Sequence, residues 1–288
     1  MLRTTLMASA AALTCAIAAF AALEPTTSAE AAEGIPNFAP NSGTGWLLDR
    51  NNFDDLLPLS SGGPGPVTFD KAHPYIPNGS STQPTYRVSD TTNPILQDWA
   101  KERMKKSNDE VLAGKMPFRA RELCWPIGVP GFAIFSLVEP FYFLQKRDEV
   151  IMINQGGPEI RRVKLNAQHS ANPKPSWYGE SIGHYENGDT LVVDTIGVTT
   201  KTFIDNYRTP HTEKLHVVER YKLVEGGKAV EITMEVDDPG AFTTKWSARQ
   251  RWVRRDNTTL EEIHCNENNE DFFNLFPMPT PKAEKPDF

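Results

Sequence analysis

The sequence predicts a mainly β protein, in which an antiparallel meander closes into a barrel behind an irregular, proline-rich N-terminal extension with one helix. Three observations support this. After Pro130, short apolar segments of strand length alternate with turn signals. Turns such as Asn187-Gly188 and Gly226-Gly227 are short enough to require antiparallel neighbours. A meander of this length closes most readily as a barrel, and a two-sheet sandwich is the alternative.

The strands are predicted from this alternation, and one hairpin also predicts a register. Their bounds are 133–139, 141–146, 149–155, 159–165, 181–186, 189–198, 214–224, 228–237 and 242–254, with a tenth at 259–265. In the hairpin at Asn187-Gly188, a two-residue turn pairs Glu186 with Asp189. The same register places Ser181 opposite Asp194.

The N-terminal residues have the order of a secretory signal peptide. Arg3 precedes an apolar run from Leu6 to Leu23, and small residues surround the exit from that run. An uncleaved membrane anchor is the alternative, but polar residues interrupt the run. We therefore expect cleavage near Ala31 or Ala32 and an exported chain, periplasmic or secreted, with no stable membrane insertion.

The rest of the chain divides by composition. The predicted segments are a signal peptide at 1–32, an extension at 33–115, a barrel at 116–275 and a proline-rich tail at 276–288. Within the extension, Trp46 and its neighbours are too apolar for a pure linker, so we expect them to lie against the barrel. A helix at about 93–113 follows, because Asn93 can cap it and Gly114 can close it.

The composition argues against several partners and chemistries. The formal net charge is -7 and basic residues are scattered among acidic ones, which argues against nucleic acid. Serine-hydrolase, nucleotide and dinucleotide motifs are absent. His169 is isolated in the sequence, and His211 and His216 are not at a compact ligand spacing, so we expect neither a metal nor a cofactor. A metal site assembled from His211, His216 and an acid is the alternative. The sequence makes no prediction about the oligomeric state.

Two cysteines, Cys124 and Cys265, remain after the predicted cleavage. An even pair in an exported chain indicates a disulfide bond. Such a bond would close a long loop of the unfolded chain and stabilise the fold by roughly 3 to 5 kcal/mol. Two separate buried thiols are the alternative.

The strand 214–224 carries the sharpest indication of a site. Its alternation places on one face Leu215, Val217, Glu219, Tyr221 and Leu223. A carboxylate among apolar neighbours must be paired, hydrogen-bonded, protonated or open to a wet cavity. Glu219 therefore predicts an internal polar site. A salt bridge to an inward arginine such as Arg161 is the structural alternative, and it leaves no site.

Further acid–base candidates flank this strand. Asp205 and His211 lie on the long connection before it, where an acid can orient a histidine as a general base. A turn cap and a surface histidine are the ordinary alternatives for these two residues. The predicted catalytic set is Glu219, His211, Asp194, Asp205 and His184.

Aromatic residues predict how the interior is lined. Phe242, Trp246 and Trp252 share one face of the strand 242–254, which fits either a ligand cavity or a well-packed core. The residues predicted to contact a ligand are Tyr221, Trp246, Phe242, Arg220 and Tyr185.

Four motifs resemble those of a widespread family of exported bacterial proteins. They lie at 124–130 (CWPIGVP), 179–195 (GESIGHYENGDTLVVDT), 210–220 (PHTEKLHVVER) and 237–239 (DDP). The chain departs from the family pattern at 166–170, where relatives carry D-G-R-x-H-P, and it has Asn187 as an extra hairpin residue. The resemblance covers roughly residues 124 to 270 and implies a lipocalin-like barrel. It implies no reaction, because a fold does not determine a function.

These observations lead to two functional hypotheses. The first is an exported barrel that binds a small, largely apolar molecule in an internal cavity. The second is a cofactor-independent enzyme of isomerase, cyclase, lyase or hydratase type that uses Glu219, His211 and Asp194 as acid–base groups in the same cavity.

Overall fold

The computed structural model of the 288-residue chain describes residues 34–49, 55–74, 87–114, 124–134, 139–156 and 159–263. The strands in these ranges are β1 (Gly45–Leu48), β2 (Leu57–Pro58), β3 (Phe141–Gln145), β4 (Glu149–Asn154), β5 (Glu159–Leu165), β6 (Glu180–Glu186), β7 (Thr190–Ile196), β8 (His216–Val224), β9 (Ala229–Asp237) and β10 (Trp246–Arg255). The helices are α1 (Asp98–Leu112) and a 3₁₀ helix (Gly131–Ile134).

Nine of these strands form a closed, mixed barrel. Their order is β1-β3-β4-β5-β6-β7-β8-β9-β10, and β10 pairs back to β1 with Gly45 opposite Arg255. The remaining strand, β2, pairs with β10 at Ala248 and Arg249. The predicted mainly β barrel is therefore confirmed, and the sandwich alternative is wrong.

The strand that closes the barrel comes from the N-terminal extension. Trp46 and Leu48 on β1 are buried, and the Trp46 indole donates a hydrogen bond to the carbonyl oxygen of Phe38 at 2.9 Å. The sequence places Trp46 against the barrel but does not reveal its strand. Four residues between turns contain too few alternations to show a period of two.

The meander is interrupted between β5 and β6, which run parallel, with Val163 opposite Ser181. Parallel neighbours need a long crossover connection, and residues 166–179 provide it. The expected antiparallel pairing is wrong at this point, because a connection of this length allows either direction for the next strand. The crossover brings His169 against the outer face of β7, next to Asp194.

The β6–β7 hairpin differs from the prediction by one residue. Glu186 pairs with Thr190, so the turn has three residues, 187–189, instead of two. A slip of one residue moves a whole strand's side chains to the opposite face. Asp194, predicted opposite Ser181, therefore faces outward, and Thr195 faces inward in its place.

Two predicted strands are wrong where the structure describes them. Ala133 and Ile134 belong to the buried 3₁₀ helix, because a short apolar run does not distinguish a buried helical turn from a strand. Residues 259–263 have no regular secondary structure. Cys265, the predicted signal peptide and the tail at 276–288 lie outside the described residues, so the disulfide bond and the export signal stay predictions.

The helix α1 begins at Asp98 rather than at 93. Asn93 instead caps a turn, with its Oδ1 accepting a hydrogen bond from the Ile95 amide at 3.2 Å. Leu96 forms an isolated β-bridge with Phe242, which keeps the chain extended up to the helix. Within the described ranges, no helix has the length and apolarity needed to cross a membrane.

Candidate functional site

The barrel wall along β5 to β8 carries polar side chains on both of its faces. The inner cluster consists of Arg161, Ser181, Thr195, Glu219 and Tyr221. The outer cluster consists of His169, Glu180, Asp194 and His216. The two clusters lie back to back, because Val193 pairs with Glu219 while Asp194 pairs with Val218.

The inner cluster is a hydrogen-bonded network around the guanidinium of Arg161. It donates to Glu219 Oε2 at 2.5 Å, Thr195 Oγ1 at 2.9 Å, Ser181 Oγ at 3.3 Å and Tyr221 Oη at 3.4 Å. The Tyr221 hydroxyl donates in turn to Glu219 Oε1 at 2.8 Å. Arg161, Glu219 and Tyr221 are each 0% exposed. Both carboxylate oxygens of Glu219 thus have a donor inside the barrel.

The charges of this network compensate each other. Burial alone would lower the pKa of Arg161, but the neighbouring Glu219 and Tyr221 outweigh burial and the net pKa is raised. Burial raises the pKa of Tyr221 well above its usual value, so its hydroxyl keeps its proton. The salt bridge between Glu219 and Arg161, which was the structural alternative, is present. By itself it explains why a carboxylate stands on an apolar face.

The predicted ligand-contacting residues separate into two groups. Tyr221, Trp246 and Phe242 are buried, and the rings of Trp246 and Phe242 meet edge to face at 5.5 Å. Tyr185 is partly buried, and its hydroxyl accepts a hydrogen bond from Gln145 Nε2 at 3.0 Å. Arg220 points out of the barrel, 48% exposed. It therefore does not reach the interior.

Three buried polar atoms in the described residues have no hydrogen-bond partner within the protein. They are Asn154 Nδ2, Tyr178 Oη and Trp246 Nε1. Asn154 ends β4, Tyr178 precedes β6 and Trp246 begins β10, and the strand pairings place these three positions at one end of the barrel. The Tyr178 ring packs edge to face on Phe132 at 5.7 Å, and the Trp246 ring packs edge to face on Phe242 at 5.5 Å.

The connection between β7 and β8 buries Asp205 and His211 in separate hydrogen-bond networks. Asp205 accepts from the amide and hydroxyl of Thr209 at 3.1 and 2.8 Å, and burial raises the pKa of Asp205 to about 6. His211 donates from Nδ1 to the Thr212 carbonyl at 3.0 Å, and its Nε2 lies 2.9 Å from Thr202 Oγ1. Burial lowers the pKa of His211. The hydrogen bonds of Asp205 and His211 do not join the two residues.

The outer cluster centres on one carboxylate oxygen. Asp194 Oδ1 lies 2.9 Å from His169 Nε2 and 2.8 Å from His216 Nε2. The second ring nitrogen of His169 lies 3.1 Å from Glu180 Oε1. Glu180 also accepts hydrogen bonds from the hydroxyl and amide of Ser170, which hold the pKa of Glu180 below its usual value.

The outer cluster is assembled from distant parts of the sequence and stays open to solvent. His169 belongs to the 166–179 crossover, Asp194 to β7 and His216 to β8. Their side chains are 20, 36 and 39% exposed. His216 hydrogen-bonds to Asp194 through its Nε2. The other ring nitrogen, Nδ1, makes no hydrogen bond with any described residue. His184 lies on the same wall but contacts Glu186 instead, at 3.0 Å.

The sequence missed this outer cluster, although it included Asp194 among the candidates. His169 looked isolated because only the parallel crossover brings it to β7. Asp194 and His216 share a face because Asp194 and Ile196 point the same way on β7 and Ile196 pairs with His216. No group of three or more His, Cys, Asp or Glu side chains among the described residues is arranged to hold a metal ion. We therefore treat the outer cluster as an acid–base network.

Comparison with known proteins adds no assignment. No protein-family model matches the chain, and no curated protein matches it. The family resemblance stays an expectation, and the functional proposals below rest on the residues of the barrel.

Proposed function

We propose that this protein is an exported barrel that binds a small, largely apolar molecule in its interior, with the polar group of that molecule at the end where Asn154, Tyr178 and Trp246 lie. The observation that carries the proposal is the presence of three buried polar atoms without a protein partner. Buried polar groups in folded proteins are nearly always hydrogen-bonded. Leaving one unpaired costs about 1–3 kcal/mol.

The identity of these atoms limits the chemistry of the ligand. An amide nitrogen and an indole nitrogen only donate hydrogen bonds, and a tyrosine hydroxyl can donate as well. A carbonyl, ether or hydroxyl oxygen of the ligand would accept from them, while the rest of the molecule packs against aromatic rings such as Phe132 and Phe242. An uncharged oxygen suits this place, because the charges of Arg161 and Glu219 already compensate each other.

The enzyme hypothesis does not agree with the positions of its three residues. It requires Glu219, His211 and Asp194 in one cavity. Glu219 lies on the inner face, Asp194 on the outer face and His211 within its own connection. The placement leaves an acid–base role to the outer cluster, which is a different site.

Binding is tested with the purified full-length chain, by native mass spectrometry for retained ligand and by saturable binding of the apolar dye 1-anilinonaphthalene-8-sulfonate. We expect saturable binding at one site per chain. Tyr178→Phe should weaken displacement of the dye by the retained molecule about tenfold, since one hydrogen bond to that molecule is lost.

Two matched variants control this experiment. Tyr142→Phe also removes a phenol hydroxyl, but that hydroxyl has a protein partner, Gln155, at 3.3 Å. Trp252→Phe removes an indole whose N–H donates to the Ala133 carbonyl at 3.0 Å, whereas Trp246→Phe removes the unpaired one. The proposal is wrong if no saturable binding occurs, or if Tyr178→Phe and Tyr142→Phe bind alike.

A further inference from the structure

We propose that the outer cluster is a second site, a solvent-facing general base in which His216 takes the proton of a water molecule that attacks a small uncharged acyl compound such as an ester. The site is separate from the interior, because the backbone of β7 and β8 lies between the two. It therefore goes beyond ligand binding and can fail without affecting it.

The imidazole of His216 is oriented by Asp194 through one ring nitrogen, and its other ring nitrogen has no hydrogen-bond partner among the described residues. Asp194 Oδ1 lies 2.8 Å from His216 Nε2, and a carboxylate at this distance holds the proton on Nε2. The lone pair then lies on Nδ1, which makes no hydrogen bond with the described residues. A carboxylate that orients a histidine in this way is the usual arrangement for a general base.

His169 is a positioning residue that fixes Asp194. Both ring nitrogens of His169 face carboxylate oxygens, those of Asp194 and Glu180, at 2.9 and 3.1 Å. A neutral imidazole has one N–H, whereas the imidazolium can donate to both sides. These two contacts keep Asp194 aimed at His216.

The surroundings indicate the kind of substrate. Asp194 stands between Ile182 and Val218 in its row across the sheet, and both are partly exposed. This apolar border favours an uncharged compound. The His216 side chain is 39% exposed, so bulk water reaches the ring and can act as the nucleophile.

The reaction balances without a further reagent. The water oxygen bonds to the acyl carbon while His216 Nδ1 accepts a water proton. The bond from the acyl carbon to the leaving oxygen then breaks, and the same proton passes to that oxygen. An ester and water thus yield an acid and an alcohol, and the imidazole returns to its starting form.

The test uses 4-nitrophenyl acetate as the probe and the full-length chain as the catalyst. Removing a general base lowers rates by about 100-fold or more, so we expect His216→Gln to lower kcat/KM to that extent. The matched control is His73→Gln, because His73 also contacts an aspartate, Asp70, at 2.7 Å on the surface. The control should retain the wild-type rate.

A spectroscopic readout separates positioning from simple structural damage. In ¹⁵N NMR spectra, wild-type His216 should be the Nε2–H tautomer with Nδ1 unprotonated. Asp194→Asn and His169→Gln should shift the tautomer ratio and lower kcat/KM with unchanged circular dichroism. Equal rates for the wild type and His216→Gln would overturn the proposal, as would an equal loss in His73→Gln.

Discussion

The inner and outer clusters use similar residues on the same strands and differ in what they leave unpaired. Inside, both oxygens of Glu219 and the guanidinium of Arg161 are bonded within the protein, and both side chains are 0% exposed. Outside, His216 keeps one ring nitrogen free of described partners at 39% exposure. A polar side chain on the barrel wall whose donors and acceptors are all hydrogen-bonded within the protein therefore indicates a role in stability. A polar side chain that keeps a donor or acceptor without a protein partner indicates a role in binding or catalysis.

The largest expected effect is the loss of the inner ion pair. Glu219→Gln leaves the buried guanidinium of Arg161 without a compensating charge, which costs about 3–5 kcal/mol of unfolding free energy. Urea unfolding of the full-length chain measures it. The double variant Glu219→Met with Arg161→Met removes both charges and should be more stable than the single variant. A wild-type unfolding midpoint for Glu219→Gln would contradict the structural role.

Asp205 is a buried carboxylate with hydrogen bonds to Thr209, and its titration should make the free energy of unfolding depend on pH. Because burial raises its pKa from 3.8 to about 6, the stability linked to its protonation is complete below pH 3.8 and is lost as the pH rises through about 6. Asp205→Asn should therefore gain stability relative to the wild type at pH 7, by up to about 3 kcal/mol.

The measurement for Asp205 is the difference in unfolding free energy between variant and wild type from pH 4 to 7.5. That difference should shrink as the pH falls. The pKa of His211 is lowered by burial, so its effect has the opposite sign: its contribution to the stability of the fold is lost as the pH falls below 6.5. It is present in both proteins, so it cancels in the difference. A difference independent of pH would show that Asp205 does not titrate as expected.

Two tyrosines of the interior should differ in how much stability is lost when the hydroxyl is removed. Tyr221→Phe removes a hydroxyl that bonds both Glu219 and Arg161, and should cost about 1–3 kcal/mol. Tyr178→Phe removes an unpaired hydroxyl and, in protein freed of ligand, should change stability by less than about 0.5 kcal/mol. Thermal or urea unfolding of the two variants decides this. Equal losses would mean that Tyr178 has a partner after all.

The smallest effect on stability is expected at the outer cluster. Asp194→Asn should cost no more than about 1 kcal/mol, because ion pairs between partly exposed groups contribute little. Urea unfolding measures this, and added salt should reduce the cost further. A loss as large as that of Glu219→Gln would make the outer cluster a structural element of the barrel.

The sequence predicts the barrel and much of its inner face, because strand alternation is a local property. Glu219 and Tyr221 face inward as expected, and so do Trp246 and Trp252. An inward arginine such as Arg161 is the predicted structural partner of Glu219, and the two side chains do form an ion pair.

The outer cluster could not be predicted in the same way, because it depends on how strands are joined. One extra residue in the 187–189 turn decides which face Asp194 takes. The direction of β6 decides whether His169 reaches β7 at all. The length of a turn and the direction of a crossover are set outside the strands, and alternation within one strand contains neither.

The pairing of Gly45 with Arg255 has a consequence for biosynthesis. The two strands that complete the ring stand near opposite ends of the chain, so β1 is made long before its last partner. Until β10 follows, β1 and β9 each retain an edge of free amide and carbonyl groups, which are templates for pairing between chains. A nascent or truncated chain that lacks β10 should therefore associate with its own copies.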